Sequence, residues 1–484
     1  MNKKILTTLA AVSLAFYLGA CGDDNSSSAG PNVECLDNEN CLDDASSDSN
    51  DAKSSSSVKK DEKSSSSEKK AESSSSESKE DKSSSSEKKD ESSSSEASKD
   101  VSSSSEASSE AESSSSEASE EPESSSSVEL KVTYLSETPN AADLEVSGDT
   151  LFAIFQRYVP VTGAADFKDP GLLAIYKLSD GTLLDTIPLL TKNPMSVKVV
   201  GGNVYVGTQG EYNAVWGIDA DDNRGIEKID LKKKKSELWV SGEKLGGGVN
   251  SMEVNATDGK IYVAVYKAYG TVPVVEVDVA SKSVKSVGDV TDGSGGLFYD
   301  AEAKLLYIGD RGFMDWNSGD MGNMFVHVYD GTTTKAATDE DGFLQSYSIT
   351  KAGDEIFVYV SDYNSGALYW IDGEDFSANR VQFSSDAVIR NVAGKLIVLD
   401  RGGAGEKGSI AEVDPAKKIA VWQKAFSNKD NPYDIVSIDG SNAWVALYDV
   451  AEIRKISLAD GSTISSIDTK EFSAKKVEEV TDAE

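Results

Sequence analysis

The sequence predicts an all-β fold, a β-propeller of seven four-stranded blades that follows a disordered serine-rich linker. The main observation is a sequence pattern that occurs seven times. It consists of a polar turn, a tight apolar strand and a second strand in which apolar and polar residues alternate. Its spacing averages about 49 residues, which is typical of propeller blades. A near-continuous apolar strand must be covered on both faces, as the second strand of a blade is. The tight strands are 151–155, 204–207, 261–266, 305–309, 356–360, 396–399 and 444–447.

The seventh repeat shows the four strands of one blade most clearly. Its alternating and apolar segments are 433–438, 444–448, 452–458 and 463–469. Short turns rich in glycine, asparagine and aspartate separate them. These residues tolerate the positive φ angles that tight hairpin turns require.

An asparagine precedes the first strand of four repeats, at Asn140, Asn193, Asn250 and Asn431. Alanine, proline or serine follows each of them. One interpretation is a turn that leads from one blade into the next. The other is a ring of amides at the mouth of the central channel, which would coordinate a cation or hydrogen-bond a ligand.

These repeats resemble the YVTN-type β-propeller repeat of bacterial surface proteins. The resemblance covers 128–475 and implies a propeller displayed at the cell surface, but it carries no catalytic residue. The eponymous tetrapeptide is never complete, and repeats four to six lack the Asn-Pro entry. The matching residues are Asn431-Pro432, Ile435-Val436, Gly440, Trp444-Val445-Ala446 and 456–461, with Val204-Tyr205-Val206 and Ile261-Tyr262-Val263.

Residues 1–20 have the pattern of a lipoprotein signal peptide. Lys3 and Lys4 precede the apolar segment 5–18, which is too short to span a membrane comfortably. Leu18-Gly19-Ala20-Cys21 resembles the bacterial lipobox, which implies cleavage before Cys21 and its acylation. Several acyl chains anchor a protein stably, and no other segment is apolar enough to span a membrane. Gly22 replaces the aspartate that is associated with inner-membrane retention in enteric bacteria, and Asp23-Asp24 resembles surface-export signals of other Gram-negative lineages. This resemblance implies the outer membrane, with surface exposure favoured over the periplasm.

Residues 21–127 are predicted to be a lipid-anchored, disordered tether. They contain eight runs of four serines, with acidic residues and lysines between them. So little apolar surface cannot offset the entropy of ordering the chain. A coil of this length spans about 55–60 Å, so the tether would lift the folded domain off the membrane. Cys35 and Cys41 favour a small local disulfide over metal ligation by two thiols.

Residues 128–475 are predicted to form the propeller and 476–484 a disordered tail. We expect 128–136 to form a strand that pairs with the last blade and closes the ring. The net charge is −35, and residues 128–484 carry 55 acidic and 35 basic residues, a balance of −20. Phosphate backbones repel such a domain, which excludes nucleic acid as a natural partner. We expect a monomer.

The connections between second and third strands share one face with the connections between blades. Three of them, 156–170, 209–225 and 310–323, are long. Aromatic and charged side chains on one face are typical of a surface that binds a protein or glycan. In the alternative, the Asp310-Arg311 and Asp400-Arg401 pairs only brace loops through salt bridges. The candidate binding residues are Arg157, Tyr158, Tyr212, Trp216, Arg311, Phe313, Trp316, Tyr363 and Arg401.

One connection has some character of a metal site. Asp219, Asp221 and Asn223 are spaced like the first ligands of an EF-hand, which makes calcium a possible cofactor. Arg224 stands where the turn glycine of an EF-hand belongs, so an ordinary acidic loop is the competing interpretation. His327, the one histidine, is predicted to be structural.

These observations predict an outer-membrane, surface lipoprotein whose propeller binds a protein or glycan without catalysis. A cation-dependent propeller enzyme, either a lactonase or a polysaccharide lyase, is the alternative from another class. A structural envelope protein is a third.

Overall fold

A computed structural model describes the chain from residue 130 to residue 479 with gaps, and the structural statements below refer to these residues. Residues 1–129 and 480–484 lie outside the description, as do several short segments of loops. The described ranges are 130–161, 164–166, 169–211, 224–267, 271–290, 294–310, 325–338, 345–361, 366–372, 375–402, 408–427 and 430–479.

The described chain forms seven antiparallel four-stranded blades, which confirms the predicted fold class. The seven tight apolar segments are the second strands of the blades. The first three blades are β2 (Ala141–Ser147), β3 (Thr150–Phe155), β6 (Leu172–Lys177), β7 (Leu183–Pro188); β8 (Pro194–Val200), β9 (Asn203–Thr208), β10 (Gly225–Asp230), β11 (Lys235–Ser241); and β12 (Gly248–Asn255), β13 (Lys260–Tyr266), β14 (Val272–Asp278), β15 (Val284–Val290).

The next four blades repeat the same meander. A single parallel residue pair, Thr338 with Asp375, joins the outer strands of the fourth and fifth blades. These blades are β16 (Ser294–Asp300), β17 (Leu305–Asp310), β18 (Phe325–Tyr329), β19 (Thr334–Thr338); β20 (Gln345–Ala352), β21 (Glu355–Ser361), β22 (Gly366–Asp372), β23 (Asp375–Phe383); β24 (Ala387–Val392), β25 (Lys395–Asp400), β26 (Ser409–Asp414), β27 (Ile419–Ala425); and β28 (Pro432–Ser437), β29 (Asn442–Leu447), β30 (Glu452–Ser457), β31 (Thr463–Asp468).

The core lies between the blades. Buried apolar side chains of the described residues form seven clusters, and each cluster fills the seam between two neighbouring blades. Strand β3 shows why its sequence is apolar at successive positions: Phe152 and Ile154 face the second blade, whereas Leu151, Ala153 and Phe155 face the seventh.

The ring closes through its innermost strands. Each first strand contacts the first strands of both neighbouring blades, and β2 of the first blade contacts β28 of the seventh. The seventh blade is complete without any N-terminal residue, because β28–β31 are consecutive in the chain. Closure therefore depends on packing between the first and seventh blades, not on a shared strand.

The predicted N-terminal strand exists, but its predicted pairing is wrong. Strand β1 (Leu130–Tyr134) pairs antiparallel with β32 (Lys475–Glu479) in a separate two-stranded ribbon. Most of β32 lies in the segment 476–484, for which the sequence predicts a disordered tail. A 3-10 turn, Lys470–Phe472, leads from the last blade towards β32. The ribbon thus joins the two ends of the described chain outside the blades.

Two further elements lie in connections. A small hairpin, β4 (Val159–Val161) with β5 (Ala164–Asp166), lies between β3 and β6. One helical turn, α1 (Gly242–Leu245), joins the second and third blades, and the Ser241 side chain caps it by accepting from the Lys244 N–H. No helix among the described residues is long and apolar enough to cross a membrane.

Candidate functional site

The two faces of the ring differ in the length of their connections. On one face, the turns between first and second strands and between third and fourth strands are two to five residues long. On the other face, three of the connections between second and third strands are much longer. They are 156–171, 209–224 and 311–324. The connections between blades share this second face. We call it the loop face, and the three predicted binding residues that the structure describes, Arg157, Tyr158 and Arg401, lie on it.

Three of the four predicted asparagines form the turn into a blade. Asn140, Asn193 and Asn431 have φ angles of 60°, 57° and 39°, in the left-handed region that asparagine tolerates better than most residues. Each backbone carbonyl accepts a hydrogen bond from the residue that follows the second strand of the same blade, at 2.9–3.0 Å. The structure therefore places these residues in a repeated turn, and all three are buried.

The asparagine side chains add contacts to neighbouring segments. The Asn140 amide donates to the Tyr448 carbonyl oxygen at 3.1 Å, and its Oδ1 accepts from the Tyr158 N–H at 3.1 Å. The Asn193 amide donates to Gln209 Oε1 at 3.0 Å. The Asn431 amide donates to Asp449 Oδ2 at 2.8 Å. These amide groups therefore hold the turns and their neighbours in place.

Asn250 differs from the other three because it lies within β12, at a bulge. Its Oδ1 accepts from Gln209 Nε2 at 3.1 Å, across the seam between the second and third blades. Gln209 also accepts from Asn193, so three amide side chains form a chain along this part of the loop face. The recurrence in the sequence thus groups two structurally different positions.

Arg401 lies in a stack at the seam between the sixth and seventh blades. Its guanidinium carbon lies 3.9 Å from the centre of the Tyr433 ring. The Tyr448 ring stacks on the same Tyr433 ring, with the two ring centres 4.8 Å apart. The Tyr448 hydroxyl donates to Gln156 Oε1, and Gln156 Nε2 donates to Met195 Sδ at 3.0 Å. We call Arg401, Tyr433, Tyr448, Gln156 and Met195 the mouth belt. It links the sixth, seventh, first and second blades.

Arg401 forms an ion pair, but not with the adjacent aspartate. Its Nη1 lies 3.2 Å from Asp386 Oδ1, and its backbone N–H donates to the Asp386 carbonyl oxygen at 2.8 Å. Asp400 instead accepts from the hydroxyl and the N–H of Ser384. Burial raises the pKa of Asp400. Arg401 therefore braces its loop through a salt bridge to Asp386 rather than to its neighbour in sequence.

Arg157 ties the loop face to the C-terminal segment. Its Nη2 lies 2.8 Å from Asp169 Oδ2, and its Nε donates to the Phe472 carbonyl oxygen at 3.0 Å. The Lys475 N–H donates to the same Asp169 oxygen at 3.3 Å. Burial lowers the pKa of Arg157. The adjacent Tyr158 is half-buried and donates its N–H to Asn140, as described above.

The other predicted site residues lie outside the described part of the chain. These residues are Tyr212, Trp216, Arg311, Phe313, Trp316 and Tyr363, the candidate calcium ligands Asp219, Asp221 and Asn223, and Cys21, Cys35 and Cys41. Among the described residues, no group of three or more His, Cys, Asp or Glu side chains is placed to hold a metal ion.

Sequence reasoning missed a cluster of charged side chains on the innermost strands. Lys198 Nζ lies 3.4 Å from Glu145 Oε2, and Arg390 Nε lies 2.8 Å from Asp434 Oδ1. Asp143 and Glu253 complete the cluster through their electrostatic interactions with Lys198. Because these residues come from the first, second, third, sixth and seventh blades, they converge on the ring axis. One sequence pattern could have indicated this cluster: charged residues two positions apart on a first strand, such as Asp143 and Glu145.

His327 occupies a structural setting. It lies on β18, and its Nε2 is 3.1 Å from Oδ2 of Asp310, the last residue of the neighbouring strand β17. Asp310 is buried. The pair therefore joins two strands of the fourth blade.

Comparisons with known proteins add no functional information. No protein-family model matches the sequence, and no curated protein matches it. Among solved structures, the chain is similar to a proposed 6-phosphogluconolactonase from Bacteroides uniformis, at 12% identity and a TM-score of 0.47, covering 69% of this chain and 100% of that one. It is also similar to the tricorn protease, at 14% identity and a TM-score of 0.46, covering 74% of this chain and 36% of that one. Neither likeness bears on what this chain binds.

Together the blades and their connections define the class: a seven-bladed β-propeller with one face of short turns and one loop face. The resemblance to the YVTN-type repeat remains a prediction from the sequence.

Proposed function

We propose that the protein is an outer-membrane lipoprotein, exposed at the cell surface, whose propeller binds a protein or glycan partner without catalysis through its loop face. The observation that carries this proposal is the difference between the two faces. A rigid scaffold with long connections on one side only is the usual arrangement of a binding protein, because loops tolerate sequence change while the scaffold holds them. Trp216 and Trp316 belong to two of the three long connections.

The mouth belt supports the same assignment. Arg401, Tyr433 and Tyr448 form a stack that joins neighbouring blades at the base of the loop face, and Gln156 continues it into the first blade. Preorganised supports of this kind reduce the entropy that the loops lose when a partner binds. Arg401 and Tyr433 are both half-buried, so part of each residue stays accessible at this face.

The binding proposal is tested by a screen of the full chain against glycans and against proteins extracted from cell surfaces, with and without calcium. Saturable binding to a glycan or protein supports it. A chain that binds nothing in either condition, or that turns over a lactone or polysaccharide, contradicts it.

Replacing Trp216 or Trp316 by alanine is expected to weaken partner binding by about 2 kcal/mol or more, as truncation of a buried aromatic anchor does. The melting temperature should stay unchanged, because neither residue belongs to the apolar repeat strands. Titration calorimetry and thermal melts measure the two effects separately. Trp422→Ala is the matched control: Trp422 lies on the outer strand β27, packed close to Gly461 in a turn of the opposite face, and its loss should spare binding.

If both loop variants melt at temperatures as low as a core tryptophan variant, Trp216 and Trp316 are packing residues. The binding site then has to be sought elsewhere.

Replacing Cys21 by alanine is expected to abolish membrane association completely, because acylation of Cys21 is the predicted attachment. Fractionation of cells that express each form measures this, and protease treatment of intact cells tests surface exposure. Cys35→Ala, a second cysteine in the same region, should leave the protein in the membrane fraction. A Cys21→Ala protein that still sediments with membranes would contradict the lipoprotein assignment.

A further inference from the structure

Two aspartates meet at the seam where the first and seventh blades close the ring. Asp143 lies on β2 and Asp434 on β28, and their relative exposures are 7% and 3%. Asp434 Oδ2 lies 3.0 Å from the backbone nitrogen of Leu144, the residue that follows Asp143, so the two buried carboxyl groups come together at this seam. A hydrogen bond between two carboxyl groups requires a proton on one of them, because two carboxylates have only acceptors.

Both carboxyl groups also bind the backbone of the next blade. Asp434 Oδ2 accepts from the Leu144 N–H at 3.0 Å, across the seam between the seventh and first blades. Asp143 Oδ2 accepts from the Val197 N–H at 2.8 Å, across the seam between the first and second blades. Serine hydroxyls occupy the same position elsewhere: Ser196 accepts from the Met252 N–H and Ser348 from the Ile389 N–H, at 3.3 Å and 3.1 Å. Two seams of the ring therefore have a titratable acceptor where other seams have serine.

The surrounding charges leave an excess of carboxyl groups at the axis. Arg390 on β24 pairs with Asp434, and Lys198 on β8 faces Asp143. Glu145 on β2 and Glu253 on β12 also interact with Lys198. Four carboxyl groups thus share two cations, and one bound proton reduces the remaining repulsion.

We propose that Asp143 holds a proton in the closed ring, which it donates to Asp434 in a hydrogen bond, and that this proton stabilises the closure between the first and seventh blades, so that its loss at higher pH loosens the seam. The device is built into the fold and does not depend on what the loop face binds. Because the mouth belt crosses the same seam through Tyr448 and Gln156, loosening would reach the base of the loop face.

The direction of the pH effect follows from linkage. Burial, with a smaller contribution from Asp434, raises the pKa of Asp143 well above its ordinary value of 3.8, although Lys198 opposes the change. A carboxyl group with a raised pKa in the folded state stabilises the fold while it is protonated. That stabilisation is complete below pH 3.8 and is lost as the pH rises through the pKa of the folded state.

Hydrogen exchange in the full-length, unmodified chain tests the proposal directly. Between pH 5 and pH 9, the protection factors of the Leu144 and Val197 amides should fall by about tenfold or more after correction for intrinsic exchange. The Met252 and Ile389 amides, which are bonded to serine in the same position, provide internal controls and should keep their protection. Equal pH dependence of all four amides would overturn the proposal.

A variant tests the proton itself. The side chain that Asp143→Asn introduces has the shape and hydrogen-bonding pattern of a protonated aspartic acid, so the variant should melt with the wild type at pH 4 and about 3 °C above it at pH 8. Asp300→Asn is the matched control, because Asp300 is also a buried aspartate on an innermost strand. Asp300 Oδ2 lies 2.9 Å from Lys351 Nζ. Despite burial, this ion pair and two hydrogen bonds from backbone N–H groups lower the pKa of Asp300. That variant should melt below the wild type at pH 8.

A constant difference between Asp143→Asn and the wild type across this pH range would contradict the proton on Asp143. If Asp143→Asn does not fold, the exchange experiment on the unmodified chain still decides the question.

Discussion

Replacing Trp444 by alanine is expected to lower the free energy of unfolding by about 3–5 kcal/mol, the usual cost of truncating a fully buried tryptophan. The side chain is 1% exposed and lies in the cluster between the seventh and first blades. Its indole N–H donates to the Leu178 carbonyl oxygen at 2.8 Å, so the substitution leaves both a cavity and an acceptor without its donor. Denaturant unfolding followed by circular dichroism measures the loss.

Trp422→Ala is the control for this prediction, and it should cost about 1 kcal/mol. Trp422 is half-buried on the outer strand β27, and its indole N–H donates to Glu412 Oε2 at 2.8 Å. Equal losses for the two variants would mean that the buried core of the seam between the first and last blades contributes no more than the half-buried edge of the seam between the sixth and seventh blades.

Replacing Phe472 by alanine is the second change with a large expected effect, also about 3–5 kcal/mol. Phe472 belongs to the turn after the last blade, yet it is only 7% exposed. The centre of its ring lies 5.3 Å from the centre of the Phe155 ring of the first blade. Its carbonyl oxygen also accepts from Arg157 Nε. A residue from the C-terminal segment thus covers the closing seam, and thermal melts should show the loss.

Val477→Ala tests whether the ribbon of β1 and β32 stabilises the fold as much as Phe472 does. Val477 is 52% exposed and pairs with Val132 of β1, so its truncation should change stability by less than about 0.5 kcal/mol. Deleting 128–136 should likewise leave a cooperative melt, because the seventh blade is complete without these residues. A non-cooperative melt after that deletion would show that the ribbon, not the packing of blades, closes the ring.

The blades could be predicted because each is specified locally. A second strand such as 151–155 is apolar at successive positions since both of its faces are buried, and the turns beside it need glycine, asparagine or aspartate for positive φ angles. Asn140, Asn193 and Asn431 follow the same logic, which is why the interpretation as turns was available from the sequence. Asn250 has similar neighbours in sequence, but it lies two positions further into its first strand, at the bulge that all four of these strands share.

The site could be predicted only as a face. Strand order alone predicts Trp216, Trp316 and Arg401 on the side that carries the connections between blades, and of these three the structure describes only Arg401. The partners of Arg401 could not be predicted, because they are distant from it in sequence. Asp386 lies in the connection before β24, and Tyr433 lies on β28 of the next blade. The charged cluster was missed for a similar reason: alternating polar residues on a first strand have the same pattern whether they face solvent or one another across the axis.

The sequence by itself determined the repeat, the strands and the turns of this protein, because backbone geometry and burial on each strand depend on neighbours within a few residues. Only the tertiary structure decided how the ring closes, which residues meet at its seams and where β1 finds its partner. Those contacts join residues far apart in the chain, such as Asp143 with Asp434 and Phe155 with Phe472. Their energies depend on which side chains the closed ring brings together, and no local pattern records that.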